Sequence, residues 1–174
     1  LNPNRDRLCL VQMSTGDGPA DLVQIAPGQA HAPNLERVLK DRSVLKLFHF
    51  ARFDVAALYK AFGVMTEPVY CTKIASRLVR TYTDRHGLKD LVRELLNVEI
   101  SKQQQSSDWG AEELTDAQLA YAASDVLYLH ALKAKLDAVM RAGIAECRRR
   151  TAPHLKLPET EAFDLEFVTD KSWS

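Results

Sequence analysis

The chain has 174 residues, 46% of them hydrophobic and 26% charged, and its 23 Lys/Arg balance 23 Asp/Glu for a formal net charge of zero. A chain of this length buries about 70% of its unfolded surface, so its core needs no staple, and the composition excludes disordered and fibrous classes. No run approaches the ~18 apolar residues of a membrane span, no signal peptide opens the chain, and zero net charge excludes a global cationic field.

Three cysteines, Cys9, Cys71 and Cys147, are odd in number and scattered. They fit neither a disulfide framework nor a zinc pattern, and favour a reducing cytoplasm. Leu1 opens the chain and Met13 is the first methionine, so translation is expected to begin upstream.

In chain order, Leu8 to Met13 is a short apolar run closed by Ser14-Thr15-Gly16-Asp17-Gly18, a strand and hairpin-like turn, with a second strand over Ala20 to Ile25. Pro33 opens a helix carrying Leu35, Val38 and Leu39. Val44 to Phe50, interrupted by Lys46 and His49, predicts a largely buried strand that runs directly into a helix ending at Gly63. Val69-Tyr70-Cys71 is a short candidate strand, and Lys73 to Val79 predicts a helix. Leu88, Leu91, Val92, Leu95 and Leu96 form a helical stripe. Ser101 to Trp109 is a polar loop. The capping box Thr115-Asp116-Ala117-Gln118 then opens a long helix expected to run to about Gly143.

An antiparallel pair followed by alternating helices and strands predicts an α/β fold, a mixed β-sheet flanked by helices. Sites in such folds gather at the carboxyl ends of strands, where His49 to Asp54 falls. Residues 1–143 are expected to form one domain and 144–174 a C-terminal extension, basic at Arg148-Arg149-Arg150 and acidic beyond.

Two aspartates stand out. Asp54 sits in the first turn of its helix among Phe53, Val55, Ala56 and Ala57; a plain helix-dipole acid is the alternative to a functional one. Asp125 stands mid-helix, where aspartate is a poor helix former, with small alanines nearby and Tyr121 one turn before it. Burying that carboxylate is costly without a partner or cation; an acid hydrogen-bonded to a core tyrosine is the alternative. A divalent cation explains the costs better. Mg2+ or Mn2+ takes hard oxygen ligands, and acids converging from separate elements suit a two-metal phosphoryl-transfer site. A tyrosine one turn away could orient the attacking water.

The block His49-Phe50-Ala51-Arg52-Phe53-Asp54, the stretch Leu88-Lys89-Asp90-Leu91, the loop Ser107-Asp108-Trp109 and the run Tyr121-Ala122-Ala123-Ser124-Asp125 together resemble ribonuclease D. The chain is thereby similar to the DEDD family of 3′–5′ exonucleases, in its tyrosine-containing subgroup, over roughly Arg7 to Lys135. The resemblance implies a ribonuclease H-like fold, two divalent metal ions (Mg2+ or Mn2+) and release of 5′-mononucleotides from single-stranded RNA 3′ ends. By position it makes Asp54 and Asp125 metal ligands and Tyr121 the water-positioning phenol. The family's first motif, Asp-x-Glu on an opening strand, is not found in Leu1 to Leu8 and is expected just upstream of Leu1. The one Asp-x-Glu present, Asp164-Leu165-Glu166, lies in the acidic tail.

His49 and Phe53 are candidates for contacting substrate, His49 alternatively being a satisfied strand-end histidine. Lys102, Ser107 and Trp109 are candidates for contacting a phosphate backbone or stacking a terminal base, with a solvated loop as the alternative. Arg77, Arg80, Arg85 and Lys89 either guide the strand or form a charged helix face. Two rival functions stay open: a catalytically impaired nucleic-acid-binding module on the same fold, and a single-stranded DNA 3′–5′ exonuclease. The residues leave the oligomeric state open.

Overall fold

The structure is a computed structural model that describes residues 6–100, 103, 104 and 106–155, the side chains of 151–155 excepted. Lys102, Asp164 and Glu166 lie outside the described residues. The chain divides into two compact units, Leu1–Met140 and Arg141–Ser174. Within the second, Glu146 pairs with Arg149 at 2.8 Å and Arg150 at 2.6 Å, which gives two residues of the basic run a local partner. No helix of the described residues is long and apolar enough to cross a membrane.

The first unit opens with the predicted hairpin. Strands β1 (Leu10–Met13) and β2 (Asp21–Gln24) pair antiparallel, Leu10 opposite Gln24 and Met13 opposite Asp21. The turn carries Gly16 at φ +88°, and a Cβ there would meet the His130 ring at 2.5 Å. Only glycine suits both demands. Helix α1 (Pro33–Lys40) starts with proline in its first turn, where no backbone donor is needed, and buries Leu35 and Leu39.

Strand β3 (Lys46–Phe48) pairs in parallel with β4 (Val69–Cys71), Leu47 opposite Tyr70. Helix α2 (Ala51–Phe62) is the crossover between them and packs on both. Gly63 ends α2 in the left-handed region at φ 65°, donating to the Tyr59 carbonyl at 2.7 Å, as expected of a C-cap. Among the described residues the strands form two separate ladders. The antiparallel and parallel pairings of the expected mixed α/β fold are both present.

The strand expected over Val44 to Phe50 is shorter, and its burial is inverted. Val44 and Leu45 are 41% and 43% exposed, whereas Lys46 is 8% exposed. The Lys46 ammonium donates to the carbonyls of Asp41, Val44 and Glu67, so all three of its protons are used. A buried cation is tolerated when its donors are satisfied.

Two cores follow. Ile25, Leu35, Leu39, Leu58, Phe62 and Val64 join the hairpin to α1 and α2. Helix α3 (Thr72–Val79) leads to α4 (Leu88–Leu96), whose predicted stripe packs Leu91 and Val92, fully buried, against Leu132 and Ile100. The long helix expected from Thr115 is broken. Helix α5 (Asp116–Leu127) ends at Tyr128 (φ −96°, ψ −4°), and α6 (Leu129–Leu155) continues past the expected end near Gly143. The break serves two packing partners at once: α5 lies on β1 and β2, while Leu132 at the start of α6 plugs the α4 core.

Candidate active site

Asp54 is positioned by the abrupt passage from β3 to α2, which allows only His49 and Phe50 between strand and helix. Phe50 takes up the turn in the left-handed region, φ 69° and ψ 44°. Asp54 then falls in the first turn of α2. Asp125 comes from α5, which sits close to the hairpin because Ala122, fully buried, keeps the interface small.

The structure brings these two acids within electrostatic reach of each other. Burial pushes the Asp54 carboxyl up to about 6, and the Asp125 charge adds to that rise. Burial alone pushes Asp125 up to about 6. Neither makes an ion pair among the described residues, so nothing in the described protein neutralises them. Tyr121, one turn before Asp125, has its phenol pKa raised by burial and by the Asp125 charge. The Trp109 ring lies 5.9 Å from the Tyr121 ring, tilted by 37°.

Trp109 is held by a loop anchored to both α5 and the hairpin. Gln118 Nε2 donates to the Asp108 carbonyl at 3.0 Å, and its Oε1 accepts from the Thr115 backbone at 3.0 Å. Thr115 Oγ1 accepts from the Gln118 backbone, which completes the predicted capping box. Arg7 and Gln24 donate to the carbonyls of Gly110 and Ala111, each at 3.3 Å. Gln118→Ala removes the cap partner and the Asp108 anchor together. It is expected to cost about 1–2 kcal/mol in a denaturant melt.

The other candidates are placed as follows. His49 Nδ1 lies 2.9 Å from the Thr72 hydroxyl, and the ring also bonds to the His86 backbone. Burial, aided by Lys73, pushes its pKa down to about 4, so the ring is neutral at neutral pH and ties β3 to α3 and the following loop. Phe53 is half-buried on α2, and Ser107 donates to Gln104 within its own loop. Arg80 is not a strand guide: it is 1% exposed and bonded to Ser76, Arg85, Tyr82 and Glu94. Sequence reading missed the Phe50 conformation. Its signal was a strand running into a helix with no glycine, proline or asparagine between them.

Two half-buried carboxylates without a cationic partner are hard oxygen donors of the kind Mg2+ and Mn2+ accept. Among the described residues no group of three or more His, Cys, Asp and Glu gathers to hold an ion. The donors present therefore fit a partly hydrated ion, because Mg2+ is commonly held by one or two carboxylates plus waters and phosphate oxygens. Beside Tyr121 runs a groove of about 250 Å³, lined also by Gln104, Ser124 and Tyr128.

Comparison with known proteins places the chain in a family. A family profile described as 3′–5′ exonuclease matches residues 1–141. Ribonuclease D of Gluconacetobacter diazotrophicus is 38% identical over 122 residues, 70% of this chain and 30% of that protein. The chain thus spans about a third of the length of the curated relatives it matches. Brucella melitensis NrnC with bound Mg2+ superposes with a TM-score of 0.78 at 53% identity, covering 94% of this chain and 86% of that one. The same nuclease bound to pGG gives 0.79 at 55% identity, with 94% and 85% coverage. With its α/β architecture, its paired aspartates and these relatives, the chain belongs to the ribonuclease D-like 3′–5′ exonucleases of the DEDD family.

Proposed function

We propose that the chain works as a divalent-metal-dependent 3′–5′ exoribonuclease that shortens single-stranded RNA and releases 5′-mononucleotides. The observation that carries this reading is the Asp54–Asp125 pair, two acids on separate helices, both pushed up to about 6 and both without a cationic partner among the described residues. Asp54 and Asp125 hold the metal, Mg2+ or Mn2+. A second ion draws on further oxygen ligands, with waters and substrate phosphate oxygens among them. The ions, when bound, stabilise charge on the phosphoryl oxygens and make water a better nucleophile.

The protein's own groups do the rest. The Tyr121 phenol stays protonated and donates to the attacking water, which fixes its direction. Trp109 braces that phenol and offers a face to a terminal base, while Ser107 contacts the phosphate backbone. His49 and Phe53 contact substrate from the β3–α2 corner. Residues 1–143 form the catalytic portion and 144–174 an extension. The pGG bound to NrnC supports a substrate as short as a dinucleotide. The free cysteines fit work in a reducing cytoplasm.

The test is digestion of 5′-labelled short RNA and matched DNA by the full-length protein, with Mg2+, with Mn2+ and with EDTA. Stepwise shortening from the 3′ end with either metal, faster on RNA and lost in EDTA, is expected. DNA shortened as fast as RNA would overturn the RNA assignment. Binding without any shortening would favour the second reading, a catalytically impaired nucleic-acid-binding module. The pair of carboxylates, in place of a larger cluster among the described residues, is what keeps that reading in view.

A further inference from the structure

Phe50 occupies a backbone conformation that suits it poorly. At φ 69° a Cβ crowds the following carbonyl, and glycine or asparagine fits better. Such strain persists where the surroundings impose it, and it gathers at functional sites. Here the turn is imposed by topology, because β3 ends at Phe48 and Ala51, 6% exposed, already belongs to α2. The turn requires the backbone angle. It does not require the ring.

Nor does the core require the ring. Phe50 is 47% exposed, whereas the residues of the adjoining core are at most 8% exposed. What the ring does contact is a cation: the Lys73 ammonium stands 4.1 Å from its centroid. Lys73 forms no ion pair among the described residues. An exposed aromatic face and an uncompensated ammonium thus sit together at the end of α2 that carries Asp54.

We propose that Phe50 and Lys73 form a nucleotide-docking platform, the ring stacking on a base near the RNA 3′ end and the ammonium meeting its phosphate. Stacking on an aromatic ring tolerates any base, and a lysine contributes a point charge to the phosphate. The ligand class rests on the exonuclease reading above; the platform itself is tested by binding and stability, without turnover.

The experiment uses the full-length protein and the variants Phe50→Gly, Phe50→Asn, Phe50→Trp and Lys73→Gln. Equilibrium binding of a fluorescent, 5′-phosphorylated short RNA is measured metal-free and in Mg2+, alongside thermal melts. Phe50→Gly and Phe50→Asn should raise Tm by about 2–4 °C as strain is relieved. Both should weaken binding roughly ten-fold, and Phe50→Trp should keep it. Lys73→Gln should weaken binding and flatten its salt dependence. Unchanged affinity in Phe50→Gly overturns the proposal, as does a lower Tm, which would make the ring a packing element. Unchanged affinity with an altered oligomeric state on size exclusion overturns it in favour of a protein contact. An inactive wild type that still binds RNA through Phe50 counts against the exonuclease reading and leaves the platform standing.

Discussion

Asp125→Asn should lower nucleotide release on the order of a thousand-fold while making the metal-free protein more stable at neutral pH. On the proposed role of Asp125 as one of two metal-holding carboxylates, the loss follows from weakening that hold; an ion's stabilisation of transition-state charge is worth several kcal/mol. The gain follows from electrostatics of the empty protein. Asp54 and Asp125 are both pushed up to about 6 by burial, above the usual carboxylate value of 3.8. A folded-state pKa raised in this way means that folding favours the protonated acid. Its stabilisation is full below about pH 4 and is lost as pH rises through about 6. At pH 8 both carboxylates are charged, so a neutral amide at 125 relieves its burial cost and removes the charge that acts on Asp54.

The gain should be on the order of 1–2 kcal/mol after allowing for partial exposure, and it should vanish at pH 4. Thermal melts at pH 4 and pH 8, with and without Mg2+, read it directly. Mg2+ should raise the wild-type Tm at pH 8 and barely move the variant's. A variant less stable than wild type at pH 8 in EDTA would show that Asp125 is a structural acid, as the hydrogen-bonded alternative holds.

Glu94→Ala, at a site that looks like surface, should be among the most damaging single changes outside the cores. The Glu94 side chain is 41% exposed, but its partner Arg80 is 2% exposed. Removing an exposed acid from an exposed pair costs under about 1 kcal/mol. Removing it here leaves a guanidinium buried with neutral partners only, the Ser76 hydroxyl at 3.0 Å, the Arg85 carbonyl at 2.8 Å and the Tyr82 hydroxyl at 3.3 Å. A cost of about 3 kcal/mol is expected, or roughly 6–12 °C in Tm for a chain of this size. Glu94→Gln, which keeps a carbonyl acceptor, should lose about half as much. A loss below about 1 kcal/mol for Glu94→Ala would show that the pair behaves as an ordinary surface contact.

Much of the fold was legible in the sequence wherever a local rule and the tertiary structure agree. The Thr115–Gln118 capping box, Pro33 at a helix start and Gly63 at a helix end each follow from backbone geometry that needs no distant partner, and the Leu88–Leu96 stripe follows from helical periodicity. Asp125 stood out because an acid among alanines in mid-helix contradicts propensity, and such contradictions gather at functional sites.

What was not legible depends on distant contacts. Lys46 reads as an interruption of a buried strand, yet it is the buried residue, because carbonyls from three separate positions converge on its ammonium. Arg80 reads as a solvated cation until Ser76, Arg85 and Glu94 are seen around it. The break at Tyr128 carries no glycine or proline; it is set by packing on two different partners, which periodicity along one helix cannot reveal.

That break has a dynamic consequence. Of α5 only Gln118 and Ala122 are buried, whereas α6 opens with Leu129, Leu132 and Leu136 all nearly or fully sequestered. The segment bearing Tyr121 and Asp125 is therefore lightly tethered, while its continuation is locked in place. Local opening free energies follow such differences, so amide protons of Ala120 to Val126 belong to a weakly protected foldon and those of Leu132 to Leu136 to a strongly protected one. The two can fluctuate independently because the hydrogen-bond ladder is interrupted between them.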